Sequence, residues 1–221
     1  MCRAQLARGC DTHTLTRGCL VFALTIRGPS DEASAVADGL IEAAEATHNP
    51  HVLALALYVH GYAFRDTHPA RALEALRRGL ATAQDSGNRM SESHLAAVLC
   101  RVESRYGDPM AALEHFRLAI RNHHEAGNTT SISTPLALLA AFFDRLGLYE
   151  SAATIAGFAF RPITALSFPE FSTTIAHLRD ALGNRVYESL ARKGETMTTA
   201  AMATYAYDQI DQARKELEHS G

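Results

Sequence analysis

The chain has no tryptophan, and aromatic residues fill only 7% of its 221 positions. It carries 14 glycines and 7 prolines, too few turn-forming residues for a sandwich of many short strands, so the composition fits a helical chain. Cysteine is scarce as well: Cys2, Cys10, Cys19 and Cys100 form no CxxC pair and no dense framework, and they are expected as reduced thiols. No basic excess exists, since the formal net charge is −3; a chain that neutralises phosphates normally carries one, which argues against direct nucleic-acid contact. The apolar run Cys19–Ile26 is far too short to span a bilayer. Asp11, His13 and Arg17 interrupt its lead-in and no clean small-residue cleavage site follows, so it does not read as an export signal, and a cytoplasmic location without membrane contact is expected. The familiar catalytic fingerprints are missing too: there is no P-loop, no HExxH, no G-x-S-x-G and no G-x-G-x-x-G. Catalytic, cofactor-binding and metal-binding residues are all expected to be none.

What is present is a repeat. Pro29, Pro69 and Pro109 stand 40 residues apart, with Tyr149 next in register. Behind them run Ala33, Leu73, Leu113 and Ala153; then Val36, Leu76, Phe116 and Ala156; then Leu40, Leu80, Ile120 and Phe160. A small residue holds one further column at Gly39, Gly79, Ala119 and Ala159, which predicts close approach between paired helices. With 47% hydrophobic residues there is ample material for a stacked core. A fixed period of this size signals an array of stacked units, each too small to bury its apolar face alone.

Each unit reads as a helix pair. Helix A of the second unit starts near Pro69, a residue suited to a first turn. Its apolar positions Leu73, Leu76, Leu80 and Ala83 share one face, and Gly87-Asn88 closes it, as Gly127-Asn128 closes the next. Helix B follows over His94–Arg105 and again over Thr134–Arg145. Its predicted core columns are Tyr58, Val98 and Leu138, then Tyr62, Val102 and Phe142, with Arg65, Arg105 and Arg145 near the negative end of the helix dipole. Gly107 and Gly147 turn the chain into the next unit.

The ends differ. Residues 12–27 match helix B in register, with Phe22 on the Tyr62 column and Cys19 on the Val59 column, but no helix A precedes them. Such a half repeat exposes an apolar face. Three accounts stay open: the chain is a piece of a longer protein, its first residues are an accidental start, or that face pairs with another chain, for instance in a homodimer. After Phe160 the period breaks. A loop over 161–169 is expected, then helices near 170–182, 184–193 and 197–217, separated by Gly183 and Gly194. The expected organisation is therefore 1–28, a half repeat or N-terminal extension; 29–168, the helical repeats; and 169–221, a helical C-terminal cap.

Chemistry is thin. Among the 11 histidines, His48, His51 and His60 cluster near one A–B turn and His115, His123 and His124 near one helix A. Neither set has the spacing of a zinc site, so surface histidines are expected. Cys10-x-x-His13 is a weaker metal candidate. Asp180, Glu188 and Glu195 fall on different short helices and read as solvated charges. The suggestive set is Arg71, Arg77, Arg78, Arg117 and Arg121, on A helices off the apolar stripe. On a concave face they could receive an acidic or phosphorylated partner; the plainer reading is solvated arginines, many paired with Glu74 or Glu114.

The hairpins Pro69–Leu80, Pro109–Ile120 and Gly147–Phe160 resemble tetratricopeptide-like repeats, although a 40-residue period departs from the usual 34. The period is similar to that of large bacterial signal-transduction ATPases of the maltose-regulator type. The stretch from Leu182-Gly183-Asn184-Arg185-Val186-Tyr187-Glu188 through Gly194 to Met197–Ile210 is similar to the C-terminal part of actinobacterial regulators, some of which carry a cyclase-like or ATPase region and a LuxR-type helix-turn-helix. The resemblance covers about 29–217 and carries over no functional residue, because every catalytic and DNA-binding part is absent. It implies an all-α, right-handed superhelix of antiparallel helix hairpins, acting as a non-catalytic interaction or sensor module of a cytosolic signalling or transcription regulator, with a protein or peptide partner. The alternative is a C-terminal fragment of a multidomain ATPase or cyclase-like regulator.

Overall fold

The computed structural model describes residues 9–25, 31–161 and 169–220. Among them the regular structure is entirely α-helical. The chain divides into two compact units, Met1–Gly107 and Asp108–Gly221. This boundary falls inside the stretch read as repeats. Pro29 and most of the loop expected over 161–169 lie outside the described residues.

The first unit contains α1 (Gly9–Thr25), α2 (Asp31–Ala37), α3 (Leu40–Glu45), α4 (Pro50–Phe64), α5 (Pro69–Asp85) and α6 (Arg89–Tyr106). Helix α5 starts at its proline as expected and runs to Asp85. Gly87 closes it in the left-handed conformation (φ 67°), and the amide of Asn88 donates back to the carbonyl of Ala83 at 2.8 Å. Helix A of the first repeat departs from expectation. It breaks into α2 and α3 at Gly39, whose φ is 72° and which has open space around it. Gly39 is thus a turn residue and not the close-approach position its column predicts. Gly79 does have that role: a Cβ there would sit 2.7 Å from Leu95 Cδ2 and 3.0 Å from Leu57 Cβ. Helix α6 begins five residues earlier than the expected His94, capped by the Asn88 side chain, which accepts from the Ser91 amide. Val21, Ala33, Ala37, Leu40, Ala44, Val52 and Val59 form one apolar cluster beneath these helices.

Phe22 and Tyr62 lie with ring centroids 5.2 Å apart, and Tyr58 continues the line 6.1 Å from Tyr62. Cys19 is exposed where Val59 is buried. Leu20 and Phe22 are exposed as well. Arg65 closes α4, its guanidinium 4.0 Å from the Tyr62 ring centre.

The second unit contains α7 (Pro109–Glu125), α8 (Ser133–Arg145), α9 (Tyr149–Ala159), α10 (Pro169–Leu182), α11 (Asn184–Glu195) and α12 (Thr199–Ser220). The predicted core columns Leu113, Phe116, Ile120, Ala153 and Ala156 are fully buried. Phe160 is not: it is 56% exposed because α9 ends one residue before it. Arg161 precedes Pro162, and a residue in that place is pushed out of the helical region. Gly194 also departs from expectation. It does not separate two helices but lies inside α11, buried against α9, where an added Cβ would be 1.8 Å from the Thr154 carbonyl oxygen. Gly157 of α9 meets the Ala191 carbonyl in the same way at 2.0 Å. The two glycines let α9 and α11 cross at backbone distance.

Candidate functional site

Four of the five arginines singled out by the sequence are held by carboxylates on other segments of their own unit. Arg71 bonds Asp38 at 2.8 Å and stacks its guanidinium 4.1 Å from the centre of the Phe64 ring. Arg78 pairs with Glu45. Asp38 and Glu45 are seven residues apart, as are Arg71 and Arg78, so both pairs have the same separation of 33 residues and form a two-rung ladder from the α2–α3 segment to α5. Arg77 faces another way, toward Glu103 of α6. In the second unit Arg117 makes a bidentate pair with Asp211, at 2.8 and 3.0 Å. Arg121 is exposed and stands near the Tyr207 hydroxyl. The expected pairing with Glu74 or Glu114 does not occur: Glu114 pairs with Arg214 of α12, and Glu74 has no ion-pair partner among the described residues. Neighbouring helices bring acids to these arginines in better geometry than a residue one turn away.

The Arg71 and Arg78 rungs flank a cleft of about 290 Å³ between α3, α4 and α5. Glu42, Glu45 and Glu74 contribute carboxylates, His60 is part of its lining, and Ile41, Leu57 and Ala75 supply apolar wall. Glu42, like Glu74, has no ion-pair partner among the described residues. The cleft's unengaged charge is therefore negative, although its arginines are what the sequence brings to notice.

His60 corrects a second expectation, that the histidines are at the surface. It is 4% exposed, as His123 is also buried. Burial, helped by the Arg71 guanidinium, holds the His60 imidazole below its ordinary pKa, and the Ala37 carbonyl, Asp38 and Glu42 oppose that only in part. The ring is neutral near pH 7. One nitrogen has the Ala37 carbonyl beside it as an acceptor, while Nδ1 has no hydrogen-bond partner among the described residues. A proton on Nε2 leaves Nδ1 as a buried lone pair. His48 is exposed and sits at φ 53°, and His51 bonds Asn88 at 2.9 Å, so the three histidines do not converge. Among the described residues no group of three or more His, Cys, Asp or Glu could hold a metal ion; the side chains of Cys10 and His13 lie outside the described set.

A larger cavity of about 730 Å³ lies in the second unit among α9, α10 and α11. Arg179 on its wall is already bound to Glu188 at 2.7 Å and lies 5.0 Å from the Tyr187 ring centre. Among the described residues no helix is long and apolar enough to cross a membrane.

No family model, no curated protein and no solved structure matches this chain.

Proposed function

We propose that the chain is a non-catalytic interaction or sensor module of a cytosolic signalling or transcription regulator, with its helix pairs stacked as a right-handed superhelix. The observation that carries this reading is the α3–α4–α5 cleft: a recess whose walls are held by two ion pairs and whose lining keeps the carboxylates of Glu42 and Glu74 without an ion-pair partner among the described residues. In this reading Arg71 and Arg78 are cleft walls, and Arg121 with the exposed edges of Arg77 and Arg117 offers secondary contacts to a protein or peptide partner.

The reading is tested by affinity purification of the tagged chain from its source cells, with quantitative mass spectrometry, beside an assay of ATP turnover by the chain alone. Stoichiometric recovery of a regulatory protein with no ATP turnover is expected. Turnover by the chain alone, or failure to recover any partner, would overturn it.

A further inference from the structure

We infer that the cavity among α9, α10 and α11 is a second binding site, and that it takes a small phosphorylated ligand with an apolar, ring-sized body.

Its floor is set by backbone packing. Gly157 of α9 and Ala191 of α11 both line the cavity, and a Cβ on Gly157 would meet the Ala191 carbonyl oxygen at 2.0 Å. Helices that cross this closely are held at one separation, so the recess does not depend on a ligand to form it. Phe158 and Tyr187 are buried in its wall, Ile175 adds a branched side chain, and the exposed ring of Phe160 also borders it. The volume of about 730 Å³ lies within the roughly 300–1,000 Å³ usual for sites that enclose a small molecule.

Charge sets the sign of the ligand. Arg179 is spent on Glu188 at 2.7 Å. Arg161 and Arg192 line the same cavity and have no ion-pair partner among the described residues. An adjoining recess of about 580 Å³ shares Glu188 and Arg192 with it and adds Arg185 and Lys193. Neither of these has an ion-pair partner among the described residues; the Lys193 ammonium lies 5.5 Å from the Tyr205 ring centre. Arg185, Ser189 and Arg192 are spaced by four and three residues, which places them on one face of α11. Against these cations stands Glu195, the acid of the lining that is unpaired among the described residues. Surplus positive charge in a recess concentrates anions and repels cations.

Donors narrow the class of anion. A guanidinium offers paired N–H groups that meet two oxygens at once. Thr198 and Thr199 line the cavity as well. The Thr198 hydroxyl accepts from the Ala201 amide at 3.2 Å and keeps its own proton to donate. Thr199 opens α12, and the positive end of that helix adds to the arginines' charge without replacing it. A phosphate carries three terminal oxygens and nearly two charges near neutral pH, so it engages more of these donors than a carboxylate does. The apolar floor beneath them suits an attached ring. A metal ion does not fit, because among the described residues no group of histidine, cysteine and acidic side chains could hold one.

The test uses the full chain at near-physiological salt, where loose surface pairing is screened. Phenyl phosphate is titrated by calorimetry beside inorganic phosphate, benzoate and benzylamine. Saturable binding of phenyl phosphate is expected, tighter than that of the other three. Arg161→Gln and Arg192→Gln, both exposed positions, should each weaken it about three- to tenfold, the effect of removing one charged partner, with circular dichroism unchanged. Arg121→Gln removes the same charge from α7, outside the cavity, and is expected to leave binding as it was. No saturable binding of phenyl phosphate, equal binding of inorganic phosphate, benzoate or benzylamine, or equal weakening by Arg121→Gln overturns the inference. The probes are small molecules and the first cleft is untouched by these variants, so the outcome is independent of whether a protein partner is recovered from cells.

Discussion

Arg77 donates from both Nε and Nη2 to one oxygen of Glu103, at 2.9 and 2.6 Å, and the Glu103 carboxylate is completely buried while the Arg77 side chain is 55% exposed. The burial depends on a residue one helical turn further along the chain. Glycine at position 107 leaves the space that the carboxylate fills, for a Cβ there would lie 1.9 Å from Glu103 Oε2. Arg77 is thus a structural residue that ties α5 to the end of α6.

Replacing it separates the arginines by role. Arg77→Ala removes two charge-assisted hydrogen bonds from a buried carboxylate and is expected to cost about 2–3 kcal/mol. Arg78→Ala breaks a pair exposed on both sides and is expected to cost about 0–1 kcal/mol. Urea unfolding midpoints of the two variants check this; equal losses would contradict the assignment.

The repeat columns carry their own test. Leu76 and Leu113 are both fully buried, and truncation of either to alanine should cost about 2–5 kcal/mol, the loss of buried methylenes plus the cavity left behind. A loss below 1 kcal/mol, within the range usual for surface positions, would mean that the column is not core.

Glycine positions are expected to divide by cause. Gly194→Ala and Gly157→Ala push a methyl into a backbone carbonyl of the facing helix, and α9 cannot retreat without opening the core, so each should cost at least about 1–3 kcal/mol. Gly39→Ala meets no atom and carries only the strain of φ 72°, about 1 kcal/mol. Thermal melts of the three variants, compared with the parent chain, decide between these costs.

His60 should make the chain acid-sensitive. Its pKa in the folded state is lowered from 6.5 by burial and by Arg71, against opposing contributions from the Ala37 carbonyl, Asp38 and Glu42. The unfolded chain therefore binds this proton more readily. The stabilising contribution is complete above the ordinary value of 6.5 and is lost as pH falls below it toward the folded-state value. Stability measured from pH 7.5 to 5 should fall less steeply in His60→Gln than in the parent chain. Parallel pH profiles would exclude His60 as the source.

Much of the local architecture is legible in the residue string. The prolines at 69 and 109 open helices, the Gly-Asn pairs at 87–88 and 127–128 close them, and the three-and-four spacing of Leu73, Leu76 and Leu80 marks a buried face. The misreadings share a physical origin. Gly39 and Gly79 occupy one column and look equivalent, yet one is a left-handed turn and the other a packing contact. Gly194 looks like a break until α9 is placed against it. The same holds for the candidate site: five arginines stand out on the A helices, but the partners of four of them, Asp38, Glu45, Glu103 and Asp211, come from distant segments of the chain.

The sequence by itself determined which residues are helical, where most helices start and stop, and which faces are apolar, because caps, glycine turns and 3.6-residue periodicity act over a few neighbouring residues. Tertiary structure alone decided which charges are spent and which remain. Ion pairing, desolvation of an imidazole and the volume of a recess depend on distances between segments that the chain separates by tens of residues, and those distances exist only once the helices have packed.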